Sequence, residues 1–262
     1  MTIFMDYLKI GFIMDYNELK DRCVAWIRDW FERNGKGCNA VLGMSGGKDS
    51  TVAAALCAEA LGKDHVIGVA MPAEGQSLNE ADEICKFLGI KYICAPIGDV
   101  IKSFDAVRAQ LPEGFSNQTE QNIPPRVRMV TVYAISQSLN GRVVNTCNLS
   151  EDWVGYATRW GDSVGDFSPL GSLVVQEIRG IGHALGIPAK WVDKVPDDGL
   201  PHSCSDEQKF GFTYETLDKY IRTGECEDPA IKEKIDSMHR RNWFKMSMPE
   251  SFEADLDIKA EI

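Results

Sequence analysis

Short apolar runs alternate with longer segments in which apolar positions return every three or four residues, and this alternation fills the first 150 residues. Asp15 to Arg33 predicts a helix: Leu19, Val24, Ile27 and Phe31 share a face, Trp26 and Trp30 widen it, and Asn34-Gly35-Lys36-Gly37 ends it. Ala40-Val41-Leu42-Gly43-Met44 reads as a buried strand, followed by a polar loop and an alanine-rich helix, Thr51 to Leu61, closed by Gly62. Further strands are predicted at Val66 to Met71, stopped by Pro72, at Lys91 to Ile97 and at Val143 to Cys147. Helices are predicted at Leu78 to Leu88, at Asp99 to Leu111 and from about residue 125 to Leu139, with Pro124-Pro125 at the opening of the last.

Strands this apolar, separated by helices, predict an α/β fold: an open, doubly wound, Rossmann-like parallel sheet covered on both faces. After residue 150 the rhythm changes. Helical patterns fall at Asp152 to Trp160, Leu173 to Leu185, Thr213 to Tyr220 and Asp228 to His239, and they predict a helical C-terminal extension. Residues 193–211, with Asp197-Asp198-Gly199 and Pro201, read as a long loop and a candidate lid. The whole chain, 1–262, is expected to be one domain, with a core at 15–150 and a substrate-loop and helical part at 151–262.

The net charge of -11 and pI of about 4.9 argue against a nucleic-acid footprint, which is usually a basic stripe. Eight cysteines include no CxxC pair and suggest neither a metal ribbon nor a disulfide framework, so a reducing cytoplasm is the expected location. Met1 to Ile13 carries Asp6 and Lys9 and lacks the basic start and clean apolar centre of a signal peptide; no run is long enough to span a membrane.

The chemistry concentrates where the first strand meets its helix. Ser45-Gly46-Gly47-Lys48-Asp49-Ser50 forms a Gly/Ser loop that aims backbone N–H groups at a phosphate. It is not a Walker A loop, which would need Gly at position 42 and Ser or Thr at 49, where this chain has Leu42 and Asp49. Lys48, at a variable position of the pattern, is expected to be a solvated lysine. The fourth strand ends in Asn145-Thr146-Cys147-Asn148-Leu149-Ser150-Glu151, which puts a hydroxyl and a carboxylate at the same edge of the sheet. Asp49 and Glu151 are the natural pair for a Mg²⁺ carrying ATP, although Glu151 also reads as a plain capping residue of the next helix.

The loop resembles the SGGxDS signature of the ATP-pyrophosphatase, or PP-loop, superfamily. Four further segments, in order, resemble ammonia-dependent NAD synthetases. They are Asn122-Ile123-Pro124-Pro125-Arg126-Val127-Arg128-Met129; Gly155-Tyr156-Ala157-Thr158-Arg159-Trp160-Gly161-Asp162 with Asp166-Phe167-Ser168-Pro169-Leu170; Lys194-Val195-Pro196 with Ser205-Asp206-Glu207 and Gly211-Phe212-Thr213-Tyr214; and His239-Arg240-Arg241-Asn242. The resemblance implies an adenine nucleotide alpha hydrolase-like fold and a ligase that adenylates deamido-NAD and lets ammonia displace AMP, giving NAD. It implies ATP contacts at Gly43, Met44, Ser45, Gly46, Gly47, Lys48, Asp49, Ser50 and Thr146, with adenine near Met71. Asp49 and Glu151 would hold Mg²⁺, and Arg126, Arg159, Asp166, His239 and Arg240 would bind deamido-NAD. It further implies a homodimer. Read without the resemblance, Arg126 and Arg128 are a solvated helix face and His239 is an exposed residue near a helix end.

The chain departs from the family pattern at Val174-Val175, where a Thr-Lys pair is usual, at Asp197, usually Thr, and at Leu149, usually Lys. Losing a cation and gaining an anion beside a polyphosphate weakens ATP binding unless another cation compensates, for which Lys190 and Lys194 are candidates. The alternatives are another PP-loop amidotransferase or adenylating enzyme, or a weakened nucleotide-binding relative.

Overall fold

The computed structural model describes residues 14–76, 79–194 and 205–252. The N-terminal segment 1–13, Asp197, Cys204 and most of the expected lid lie outside the described residues.

Four parallel strands form one sheet in the order β3-β2-β1-β4: β1 (Asn39–Gly43), β2 (Val66–Ala70), β3 (Lys91–Cys94) and β4 (Gly141–Val143). The chain leaves β1 in one direction for β2 and β3 and returns on its other side as β4, so the order reverses between β1 and β4. A crevice at the carboxyl ends of the strands belongs at that reversal.

The strands sort their side chains by alternation. Ala40 and Leu42 face a core built with α1 (Tyr16–Asn34), α2 (Lys48–Leu61), α3 (Asn79–Leu88), α8 (Val175–Ala184) and α9 (Ala189–Val192). Val41, Ile67, Val69 and Val143 face a second core with α4 (Gly98–Ser103) and α6 (Asn117–Ser138). Between α4 and α6 lies the single turn α5 (Asp105–Arg108). At Gly68 a Cβ would lie 2.6 Å from Cys85 Sγ and 2.7 Å from Met44 Cγ, so the strand has no room there for any side chain. A third apolar cluster joins α7 (Leu149–Val154), α10 (Asp206–Phe210), α11 (Tyr214–Thr223) and α12 (Pro229–Met246) through Val154, Val175, Phe210, Leu217 and Ile235. The doubly wound parallel sheet and the helical C-terminal part are therefore as the sequence predicts.

Several boundaries differ. The helix expected to open at 125 begins at Asn117, capped by Ser116 Oγ accepting from Thr119 N, and carries Pro124 and Pro125 inside it. The helix expected at 99–111 breaks at Phe104 into α4 and α5. The third strand stops at Cys94 rather than Ile97. The fourth leaves the sheet after Val143, because Val144 bridges to Phe167 and Asn145 N donates to Phe167 O. The helix expected at 152 starts three residues earlier, at Leu149, and Thr158 to Trp160 turns instead of continuing it. The end of the expected loop 193–211 is α10, started by a capping box of Ser205 and Gln208.

Candidate active site

Between β1 and β4 opens a cavity of about 650 Å³. Ser45 and Gly47, from the segment Met44–Gly47 that connects β1 to α2, line it, whereas Gly46 does not. Gly46 has φ +83°, the left-handed region glycine favours, and a Cβ there would sit 3.2 Å from Glu80. Ser45 Oγ accepts from Gly47 N at 3.2 Å and lies 3.2 Å from Ser50 Oγ. Ser50 and Thr51 hydroxyls both donate to Gly47 O, at 3.2 and 2.7 Å. These bonds fold the loop back onto α2, whose N-terminal residues Lys48, Asp49 and Ser50 line the cavity.

Opposite stands α7. Asn148 caps it: Asn148 Oδ1 accepts from Glu151 N at 3.0 Å and Glu151 Oε2 accepts from Asn148 N at 3.5 Å. Asn148 Nδ2 also donates to Asp49 Oδ1 at 3.2 Å, so one residue holds both carboxylates, Asp49 through its side chain and Glu151 through its backbone N–H. Glu151 is thus a capping residue and a cavity-lining carboxylate at once. Burial, and next the charge of Asp49, push its pKa up to about 8; Lys48 works in the opposite direction. Two carboxylates held this close, with one ammonium between them, are short of positive charge. Among the described residues no cluster of three or more His, Cys, Asp or Glu could cage a metal. The donor set suits a Mg²⁺ that takes one or two protein carboxylates and completes its shell with phosphate and water.

Gly43, Met44, Ser45, Gly47, Lys48, Asp49, Ser50 and Thr146 all line the cavity, together with Glu151. Its apolar wall is Val69, Met71, Val132, Val143 and Val144, a surface for a flat ring. Arg128 closes that wall: Nε donates to Met71 O at 3.1 Å and Nη2 to Gln76 Oε1 at 2.9 Å, while Gln76 Oε1 also accepts from Ala73 N. Burial lowers the Arg128 pKa. Sequence reading gave Arg128 no site; the signal was its spacing two residues from Arg126, which puts the two on different helix faces. The expectation for Lys48 is corrected: it is 4% exposed, not solvated. Val175 is wholly buried, and its N–H donates to Ser150 Oγ, whose own hydroxyl donates to Asp218 Oδ1. Of the two candidate compensating cations, Lys194 lines the cavity and pairs with Glu80, whereas Lys190 pairs with Glu83 at 3.4 Å and lies over the Trp191 ring.

The five residues expected to bind a dinucleotide are not gathered in this cavity. Arg126 Nε donates to Arg159 O at 3.3 Å. Arg159 packs between Trp160 and Phe244 and donates to Ser247 O, with its buried Nε unpartnered. Asp166 accepts from Val143 N at 2.7 Å and from Tyr133 OH at 3.4 Å, which ties it to the sheet. Arg240 pairs with Glu233 on the same helix, α12. His239 stacks on Trp153 at 4.3 Å, and its Nδ1–H donates to Trp153 O. Asn242 Nδ2 donates to Val154 O and Lys245 Nζ to Gly155 O, so three side chains of α12 satisfy the last carbonyls of α7. A second cleft, about 440 Å³, lies beside this junction and is lined by Gln118, Gly155, Tyr156, Arg241 and Lys245 among others.

Comparison with known proteins was made against this geometry. A family model described as NAD synthase matches residues 19–250. The chain is 40% identical over 193 residues to an NH(3)-dependent NAD(+) synthetase of Methanococcus aeolicus, covering 72% of this chain and 75% of that one. It is 35% identical over 245 residues to the protein of the same name from Finegoldia magna, covering 92% and 98%. Among solved structures, it superposes on an NMN synthetase from Francisella tularensis with a TM-score of 0.83, at 27% identity over 91% of this chain and 99% of the other.

Proposed function

Because the chain belongs to the NAD synthase family, we propose that it is a ligase that uses ATP to amidate the nicotinate carboxylate of deamido-NAD with ammonia, giving NAD, AMP and pyrophosphate. The carrying observation is the intact Ser45–Ser50 loop facing Glu151 across a cavity at the point where the sheet order reverses. A nicotinate oxygen attacks the α-phosphorus of ATP; the bond to the β-phosphate oxygen breaks and pyrophosphate leaves. Ammonia then attacks the carbonyl carbon of the mixed anhydride, AMP departs with the C–O bond electrons, and a proton is lost to water.

Each residue role in this reading is a proposal. The loop N–H groups with Ser45 and Ser50 hold the pyrophosphate end. Met71 and the valine wall take the adenine, and Thr146 faces the nucleotide. Asp49 and Glu151 hold Mg²⁺, which when bound offsets charge on the phosphates. With no nucleophilic side chain needed, the rate comes from orientation and from charge already in place. Arg126 and Arg159 bind the acceptor's phosphates through forked donors. We further read 1–262 as one domain that acts in the cytoplasm as a homodimer. The exposed Trp243 and Phe244, each 58% accessible, support a partner surface there. The seven cysteines among the described residues are free, which suits a reducing compartment.

A second acceptor is favoured by a specific observation: Asp166, His239 and Arg240 are committed to partners within the fold. The structural likeness to an NMN synthetase points the same way. Nicotinate mononucleotide presents the same carboxylate with one phosphate and no second nucleoside. An NAD-formation assay with ammonia and glutamine as donors tests the first reading. Running deamido-NAD and nicotinate mononucleotide as competing acceptors separates the two. Pyrophosphate release with neither would refute both.

A further inference from the structure

Lys48 is unexplained by the local structure that carries it. It stands at the first position of α2, the positive end of the helix dipole, where a cation is disfavoured. Its side chain is 3% exposed, and lysine is almost never buried without a strong partner. Its partner is Asp49, with Nζ 2.8 Å from Oδ2, and Glu151 faces it across the cavity. Burial works against its charge, yet Asp49 and Glu151 more than offset that cost. The ammonium also lies 5.8 Å from the ring of Tyr214. The Lys48 ammonium therefore sits against Asp49 on the phosphate-loop side of the cavity that Glu151 also lines.

We propose that Lys48 is an exchangeable counter-ion: it neutralises Asp49 in the nucleotide-free protein, and yields the carboxylates to the divalent cation and transfers its ammonium to the β- and γ-phosphate oxygens when ATP enters. The inference rests on the ligase reading above. The charges motivate the exchange. Asp49 brings one negative charge, which Lys48 balances, and Glu151 adds a second once it gives up its proton, so a divalent cation arriving at the pair competes directly with the ammonium. Four negative charges arrive with the triphosphate, one residue away from the loop N–H groups, and offer the displaced ammonium a new partner. No bond to Lys48 forms or breaks. Its task is to hold the departing pyrophosphate, which places the cation on the loop side of the cleft, since Val175 supplies none.

The test compares the full-length protein with Lys48→Met, which keeps length and loses charge, and with Lys48→Arg. Calorimetry measures pyrophosphate and ATP binding, and a separate titration measures Mg²⁺ binding without nucleotide. Lys48→Met weakens pyrophosphate and ATP binding about tenfold to a hundredfold, the range for one charged hydrogen bond. It tightens Mg²⁺ binding, because the competing ammonium is gone, and it raises the KM for ATP with little change in the KM for the nicotinate substrate. Lys48→Arg recovers most of the anion affinity. Unchanged anion binding, or Mg²⁺ binding unchanged or weakened in Lys48→Met, overturns the proposal. Wild-type protein that binds neither ATP nor pyrophosphate overturns the ligase reading instead. Should Lys48→Met fail to fold, the ¹⁵N-lysine ammonium resonances of the wild type decide: pyrophosphate must shift a single buried signal, and its absence from that titration refutes the exchange.

Discussion

Replacing Glu151 by Gln should make the metal-free protein more stable while removing its activity. The substitution keeps the shape of the side chain and its capping bond, since Gln serves at this position of a capping box as well as Glu. What it deletes is an ionisable carboxyl at the cavity, where burial and Asp49 disfavour the charged form. In the folded chain Glu151 has a pKa of about 8, against 4.5 for an ordinary glutamate. A carboxyl whose pKa rises on folding costs nothing below about 4.5, and costs stability progressively as pH climbs through about 8. That shift corresponds to a penalty of about 3 kcal/mol at pH 7 and about 1 kcal/mol at pH 5. Relief of about 3 kcal/mol raises the melting temperature of a domain this size by roughly 6–12 °C. Thermal melts of both proteins in chelator, from pH 5 to pH 8, should diverge with rising pH. Mg²⁺ with ATP should then stabilise the wild type and leave Glu151→Gln where it was, and product formation should fall at least about a hundredfold, several kcal/mol of transition-state stabilisation. A pH-independent difference, or a variant less stable at pH 8, would show that Glu151 is an ordinary capping glutamate.

Gly68→Ala drives a methyl into Cys85 and Met44 and should cost about 1–3 kcal/mol, read as a lower urea midpoint with an unchanged slope. Arg222→Met strands the buried Glu177, to which Arg222 donates at 2.7 and 2.6 Å; denaturation should show a loss of about 3–5 kcal/mol. Arg128→Met releases Met71 O and Gln76 and should raise the KM for ATP while the KM for ammonia stays put; equal changes in both would deny Arg128 its place at the adenine wall.

The first three helices and the central strands were legible from periodicity, reinforced at α1 by Asp15 accepting from Asn17 N and Glu18 N, while the unalternating apolar run of β2 marks a strand buried on both faces. The start of α6 was not. Proline most often opens a helix, whereas here Ser116 starts it two turns earlier and Pro124-Pro125 remove two hydrogen bonds from its interior. The short β4 depends on the pairing of Val144 with Phe167, which no local pattern encodes. Two other differences were local: Glu151 was read as a capping residue but the helix start was put at Asp152 instead of after Asn148, and Ser205-x-x-Gln208 spells a capping box that the loop reading passed over. At the site, the loop and Glu151 were legible because the chemistry fixes residue types. Lys48 was misjudged because a variable motif position reads as solvent, while α2 is buried from its first residue. The expected acceptor residues His239 and Arg240 lie on α12, where His239 is engaged by Trp153 of α7 and Arg240 by Glu233 of its own helix, partners that no local pattern encodes.

The packing of α12 on α7 has a consequence for how the protein is made. The helix bearing Glu151 ends in carbonyls that are satisfied by His239, Asn242 and Lys245, near the end of the chain. On the ribosome, the phosphate loop and its strand emerge long before those residues do. A nascent chain therefore carries the phosphate loop before the residues that anchor the helix of Glu151 have been made.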